Sequence, residues 1–240
     1  MNKNIDFKKI FNLFLLLIFF IIFIFFILNL SRCTESTISP SPKNHSNALQ
    51  QAALINTQLG MAYFSQGKTM LAEAKLSQAL SQFPNSPEVN DAMAYVLWKT
   101  GELAQARVYY QKAEKLAPKD PYVENAEGVF LCETGDFSLG IQQFDQALAA
   151  PHFFAKGLTA QNAGSCAYLE KNAPLAMTYF LKALSEDPAL PLSDLRLAEL
   201  YFNNKNYPRA KFYLSKFNAI ADPTPESKKL SAMLLVKMGH

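Results

Sequence analysis

Cys33, Cys132, Cys166, His45, His152 and His240 are the side chains of this 240-residue chain whose types could ligate a metal or form a nucleophile. Zinc needs His and Cys clustered at short, characteristic spacings, and a nucleophilic Cys needs a His brought within hydrogen-bond reach. The six are scattered instead. His45 falls in a Ser/Pro/Asn stretch, His152 stands in Pro151-His152-Phe153-Phe154, and His240 is the last residue. The acidic residues are dispersed along segments that read as solvated helix faces, and no Gly-rich loop follows a strand. The expectation is a chain with no catalytic residue, no metal and no cofactor. What the cysteines do then depends on the elements that carry them. Cys33 follows a long apolar run, whereas Cys132 and Cys166 lie one structural period apart.

With 50% hydrophobic and 18% charged residues, the chain can build a packed core rather than remain disordered. Its formal charge of +3 owes much to Lys3, Lys8 and Lys9 at the start, which leaves a nearly neutral body. Such a body has no counterion-release drive toward nucleic acid, so no nucleic-acid partner is expected. Phe11 to Leu30 is apolar apart from Asn12 and Asn29. As a helix it would reach about 30 Å, enough to cross a bilayer core. The preceding lysines keep its start cytoplasmic and direct the rest across the membrane.

Leu30-Ser31-Arg32-Cys33 resembles a bacterial lipobox in Leu30, Ser31 and Cys33 and departs from it at Arg32, where a small residue is usual. Two readings stand. Cys33 is lipidated after cleavage, which with Thr34 beside it implies the outer membrane, or the segment is an uncleaved inner-membrane anchor. Residues 1–33 are thus signal or anchor, 34–49 (rich in Ser, Thr, Pro and Asn) a flexible linker, and 50–240 a folded domain.

That domain repeats. Gly67, Gly101 and Gly135 fall 34 residues apart, and the pairs Pro84/Pro87, Pro118/Pro121 and Pro188/Pro191 keep the same beat once a two-residue insertion near Ala150-Pro151-His152-Phe153 is allowed. A 34-residue period is the mark of the tetratricopeptide repeat, a helix–turn–helix unit. In the first helix of each pair a small residue precedes a large one by three: Gly60/Tyr63, Ala94/Leu97, Gly128/Leu131, Gly164/Ala167 and Ala198/Tyr201. In the second helix small, large and small recur: Ala72/Leu76/Ala79, Ala106/Tyr110/Ala113, Gly140/Phe144/Ala147, Ala176/Phe180/Ala183 and Ala210/Leu214/Phe217. Gly140, Phe217 and the small Ala167 depart from the pattern. Leu230, Met233, Leu234 and Met238 share one stripe of a last helix, expected over residues 226–238, that would cap the stack. The fold expected is all-α: a right-handed superhelical tetratricopeptide solenoid of about five repeats with a capping helix, preceded by the membrane or signal helix.

In this pattern the first helices line the concave side. The slot after each large residue holds Phe64, Trp98, Cys132, Tyr168 and Phe202; two residues before each large residue come Met61, Tyr95, Val129, Ser165 and Glu199. Met61, Phe64, Tyr95, Trp98, Tyr168 and Phe202 are therefore the candidate partner-binding groove. Each could instead pack between helices; as an exposed strip they would grip a peptide or helix, with Trp and Tyr as anchors. Lys99 and Asn203 alone do not form a carboxylate clamp. Cys132 and Cys166, on the first helices of successive repeats, are either two buried thiols or, in an oxidising compartment, a staple between repeats.

Asn125-Ala-Glu-Gly-Val-Phe-Leu-Cys-Glu-Thr-Gly135 with Phe144 and Ala147 resembles the third repeat of the PilF/PilW family of type IV pilus biogenesis lipoproteins. Asn162-Ala-Gly-Ser-Cys166 resembles the fourth repeat, including its Cys, and Leu197-Ala-Glu-Leu-Tyr201 with Ala210-Lys-Phe-Tyr-Leu214 the fifth. The resemblance spans about residues 50–240. It implies a non-enzymatic role supporting assembly or outer-membrane placement of the secretin, the ring through which the pilus exits, with a secretin or other pilus-machinery segment as partner. A general inner-membrane scaffold is the alternative.

Overall fold

The computed structural model describes residues 42–239. The membrane or signal helix and Cys33 lie outside the described residues. Eleven helices and no strand make up what is described: α1 (Pro42–Ser65), α2 (Thr69–Gln82), α3 (Pro87–Lys99), α4 (Leu103–Leu116), α5 (Pro121–Glu133), α6 (Phe137–Ala149), α7 (Lys156–Leu169), α8 (Ala173–Glu186), α9 (Pro191–Asn203), α10 (Tyr207–Ile220) and α11 (Pro225–Met238). None of them is long and apolar enough to cross a membrane. Helix α1 begins at Pro42, so residues 42–49 form its opening turns.

Each repeat is folded by the same local chemistry. Proline at the first helical position, where the missing N–H is no loss, opens α3, α5 and α9. Ser86 accepts the Val89 amide at 3.2 Å and Asp120 accepts the Tyr122 amide at 2.9 Å, which caps two of these starts. The turn within each pair passes through a left-handed residue: Gly67 at φ +74°, Gly101 at +94° and Gly135 at +93°. Lys171 (φ 66°) and Lys205 (φ 60°) hold the equivalent turns of the last two repeats, which is why the glycine period falls silent there. Just past each turn, one amide closes back on the carbonyl of the large-slot residue: Lys68 on Tyr63, Glu102 on Leu97, Asp136 on Leu131, Asn172 on Ala167 and Asn206 on Tyr201.

The small slots are where paired helices meet. A Cβ added at Gly60 would come within 2.8 Å of Leu76, at Gly128 within 2.8 Å of Phe144, and at Gly164 within 2.7 Å of Phe180. Leu76, Tyr110, Phe144, Phe180 and Leu214 are buried beneath them, each stabilising its repeat by about 1.5–3 kcal/mol through removal from water. The two extra residues fall where the period slips. The loop between α6 and α7 runs over residues 150–155, whereas the loops at 83–86, 117–120 and 187–190 are shorter.

Two departures from the pattern have packing reasons. Cys132 and Cys166 are disulfide-bonded, with 5.4 Å between their Cα atoms. A side chain at Gly140 would overlap Cys132 Sγ and stand 2.9 Å from the Gly128 carbonyl, so Gly140 makes room for the bridge. Phe217 is buried in one cluster with Leu230 and Leu234, because the last repeat faces the cap rather than a further repeat. The cap itself, α11, starts at Thr224 and Ser227, which exchange side-chain-to-backbone hydrogen bonds. Across repeats, first helices pack beside first helices (α3 on α5, α5 on α7, α7 on α9, α9 on α11), forming the wall of a groove.

Candidate functional site: the groove of the first helices

Met61 and Phe64 lie on α1, Tyr95 and Trp98 on α3, Tyr168 on α7 and Phe202 on α9, and their surroundings sort them into two groups. Phe64, Tyr95 and Trp98 interlock. The Phe64 and Tyr95 rings meet edge-to-face at 5.7 Å, Tyr95 and Trp98 at 5.9 Å, and Trp98 and Phe130 at 5.8 Å. Phe130 then rests on Tyr110 at 4.9 Å in the core. Lys99 Nζ lies 3.4 Å from the Trp98 ring centre and 3.3 Å from Glu133 Oε2. Met61, Phe64 and Tyr95 are half-buried against this cluster. Trp98, which could line the groove or pack between helices, is only 8% exposed. It fills space between α3 and α5, because Phe130 and Tyr95 close over it.

Tyr168 and Phe202 are placed differently. They are half-buried and line a cleft of about 250 Å³ between α7, α9 and α11, with Glu199, Leu230 and Met233 as further walls. Further hollows open beside each ring, one next to Tyr168 and Leu169 and the other next to Phe202 and Val236. The Tyr168 hydroxyl donates to Glu199 Oε2 at 3.2 Å, and Arg196 binds the same oxygen at 2.7 Å while lying 5.0 Å from the Tyr168 ring. Burial, and then the Glu199 charge, raise the Tyr168 pKa, so its hydroxyl stays a neutral donor. This is an apolar cleft with one fixed polar edge, suited to an apolar side chain beside a hydrogen-bonding group.

Sequence reasoning missed Phe130, Arg196 and the part played by α11. Phe130 stands two residues before Cys132, at a position that reads as interior. Helix α11 reads as a cover, yet its Leu230 and Met233 are also a wall of the cleft. Between the second and third repeats the groove carries another unexpected feature. Asp91 is pushed up to about 7 by burial and by the charges of Asp120, Glu127 and Glu88. Glu127 is pushed up to about 7 by burial and by Glu114, against the opposing charge of Arg107. Glu127 occupies a slot that holds an apolar Met93 one repeat earlier, so burial without full compensation follows from the sequence register. His152 sits in the loop before α7, away from these groups in the chain, and among the described residues no group of three or more His, Cys, Asp or Glu is placed to hold a metal ion.

Residues 63–128 match the tetratricopeptide repeat family. An uncharacterized protein of Haemophilus influenzae is 33% identical over 130 residues, covering 54% of this chain and 70% of its own length. The type IV pilus assembly protein PilF of Pseudomonas aeruginosa is 28% identical over 160 residues, 67% of this chain and 64% of that protein. The solved PilF structure superposes with a TM-score of 0.75 at 25% identity, covering 80% of this chain and 86% of the other. PilW, described as a widely conserved type IV pilus biogenesis factor, superposes with a TM-score of 0.72 at 22% identity over 79% and 87% of the two chains, a likeness of fold. From the repeat geometry and these likenesses together, the chain belongs to the tetratricopeptide repeat family, with PilF and PilW, both proteins of type IV pilus biogenesis, as structural neighbours.

Proposed function

We propose that this chain is a non-enzymatic adaptor of type IV pilus biogenesis that holds a segment of the secretin, or of another pilus-machinery protein, in the groove of its first helices. The observation that carries the reading is the likeness to PilF in both sequence and fold. The open cleft at Tyr168 and Phe202 is the receiving part of the groove, since the rings at Phe64, Tyr95 and Trp98 already occupy one another. Holding the segment promotes secretin multimerisation or its placement in the outer membrane. Residues 1–33 tether the domain to a membrane facing the periplasm, through lipid at Cys33 or through the apolar helix, and the tether raises the local concentration of the groove near its partner.

The test is a deletion strain complemented with the full chain or with Phe202→Asp, scored for surface pili and for secretin multimers. The account expects deletion and Phe202→Asp both to lose pili and multimers while the variant still accumulates. Normal piliation in the deletion strain would overturn the pilus reading. Normal piliation with Phe202→Asp alone would overturn the cleft.

A further inference from the structure

One repeat apart on the first helices stands a row at one register position: Leu54, Glu88, Tyr122, Leu158 and Leu192. Leu54, Tyr122, Leu158 and Leu192 are all exposed large side chains, as apolar residues at a solvated rim seldom are four times in register. The second repeat breaks the row with Glu88, which is exposed in the first turn of α3. The break coincides with a local excess of negative charge. Asp91 stands one helical turn further along α3 and feels Glu88, Asp120 and Glu127. Asp91 Oδ1 and Glu127 Oε2 are both buried and meet no hydrogen-bond donor among the described residues.

The nearby cations are committed elsewhere. Arg107 faces Glu127 but is bonded to Asp136 at 2.7 Å and lies over the Phe130 ring. Lys119 faces Glu124. A buried carboxylate without a partner is costly to its own fold, and the complement that relieves it is a cation delivered from outside. A ring is at hand as well. Asp120, whose charge acts on Asp91, accepts the Tyr122 amide, and the exposed Tyr122 ring is held edge-to-face at 5.1 Å by the buried Phe153 of the loop at residues 150–155.

We propose that this rim receives one basic side chain, Arg or Lys, from an otherwise apolar segment laid along the groove, with Glu88 and Asp91 as its anionic partners, the Glu127 carboxyl adding to their field, and Tyr122 as the ring against which its stem lies. The inference rests on groove capture as the function of the chain and specifies the chemistry of what is captured. Leu54, Leu158 and Leu192 meet apolar side chains before and after the basic one. A guanidinium suits the site best, because it makes charge-assisted hydrogen bonds to carboxylates and stacks on an aromatic ring.

The probe is a set of short overlapping peptides spanning the secretin of the same cell, each made in its own form and with every Arg and Lys replaced by Gln. Retention is measured on the full chain and on its Glu88→Gln/Asp91→Asn variant. Neutral amides relieve the local repulsion, so the variant folds at least as well, which a thermal melt checks. The expected result is that retained segments carry a basic residue in an apolar frame and that its replacement by Gln weakens binding roughly ten-fold or more. The variant abolishes that difference. Segments retained equally in both forms would overturn this inference and leave groove capture standing. Retention of no segment would overturn groove capture of the secretin, and this inference with it.

Discussion

The two halves of the groove use aromatic residues at the same register for opposite purposes. In the first three repeats, the slot three residues before Phe64, Trp98 and Cys132 holds Met61, Tyr95 and Val129, and with Phe130 these large side chains let Phe64 and Trp98 close into a continuous ladder. In the fourth and fifth repeats the same slot holds Ser165 and Glu199, and Tyr168 and Phe202 border open space instead. An aromatic in the slot therefore does not by itself make a binding site; the size and polarity of its neighbour decide whether it packs or waits for a partner.

Trp98→Ala removes a ring enclosed by Tyr95, Phe130 and Lys99, and should cost about 3–5 kcal/mol of stability, read as a lower denaturation midpoint. Phe202→Ala should cost much less. Equal losses would mean that the two halves are packed alike. Gly140→Ala should destabilise by about 1–3 kcal/mol even though Ala is the better helix former, because its methyl group would displace Cys132 Sγ. Thiol titration of the denatured variant would show whether the Cys132–Cys166 bridge survives.

The acidic rim predicts a pH effect. The folded-state pKa values of Asp91 and Glu127 lie near 7, above those of the unfolded chain, so the folded state keeps protons that the unfolded state releases. Their contribution is favourable below about pH 4 and is lost as pH rises toward and through 7. Asp120, Glu88 and Glu114 deepen the effect and Arg107 opposes it. The Asp91→Asn/Glu127→Gln chain should thus gain on the order of 2 kcal/mol over wild type at pH 8 and little at pH 4, with allowance for solvent screening. An equal gain at both pH values would show that the carboxyls are not the cause. The smallest effect is expected at the turns. Lys171→Gly and Lys205→Gly relieve a left-handed backbone and should each stabilise by up to about 1 kcal/mol, whereas Gly101→Ala should lose a similar amount.

Much of the solenoid is legible in the residues, because each helix pair repeats one steric problem: a small residue opposite a large one, and a left-handed turn. The glycines at 67, 101 and 135 announce the turn, while Lys171 and Lys205 hide it, since conformation there is set by the surrounding helices rather than by residue type. Gly140 departs from the pattern because of the bond between Cys132 and Cys166, 34 positions apart, which no local pattern displays. In the candidate site, the register names an aromatic set on the first helices. It did not tell buried from open, because that depends on Phe130 from the neighbouring helix and on the side chains of α11. The Ser165 and Glu199 slots carried the signal, and reading each aromatic together with its slot partner would have located the cleft.

The most direct measurement is photocrosslinking in piliated cells, with the reactive group placed at Phe202 in the cleft or at the exposed Val108 on α4. The account predicts a secretin adduct, or one with another pilus-machinery protein, from residue 202 and none from residue 108. Pilus-machinery adducts absent from 202, or equally abundant from 108, would contradict the claim that this groove is where the chain holds its partner.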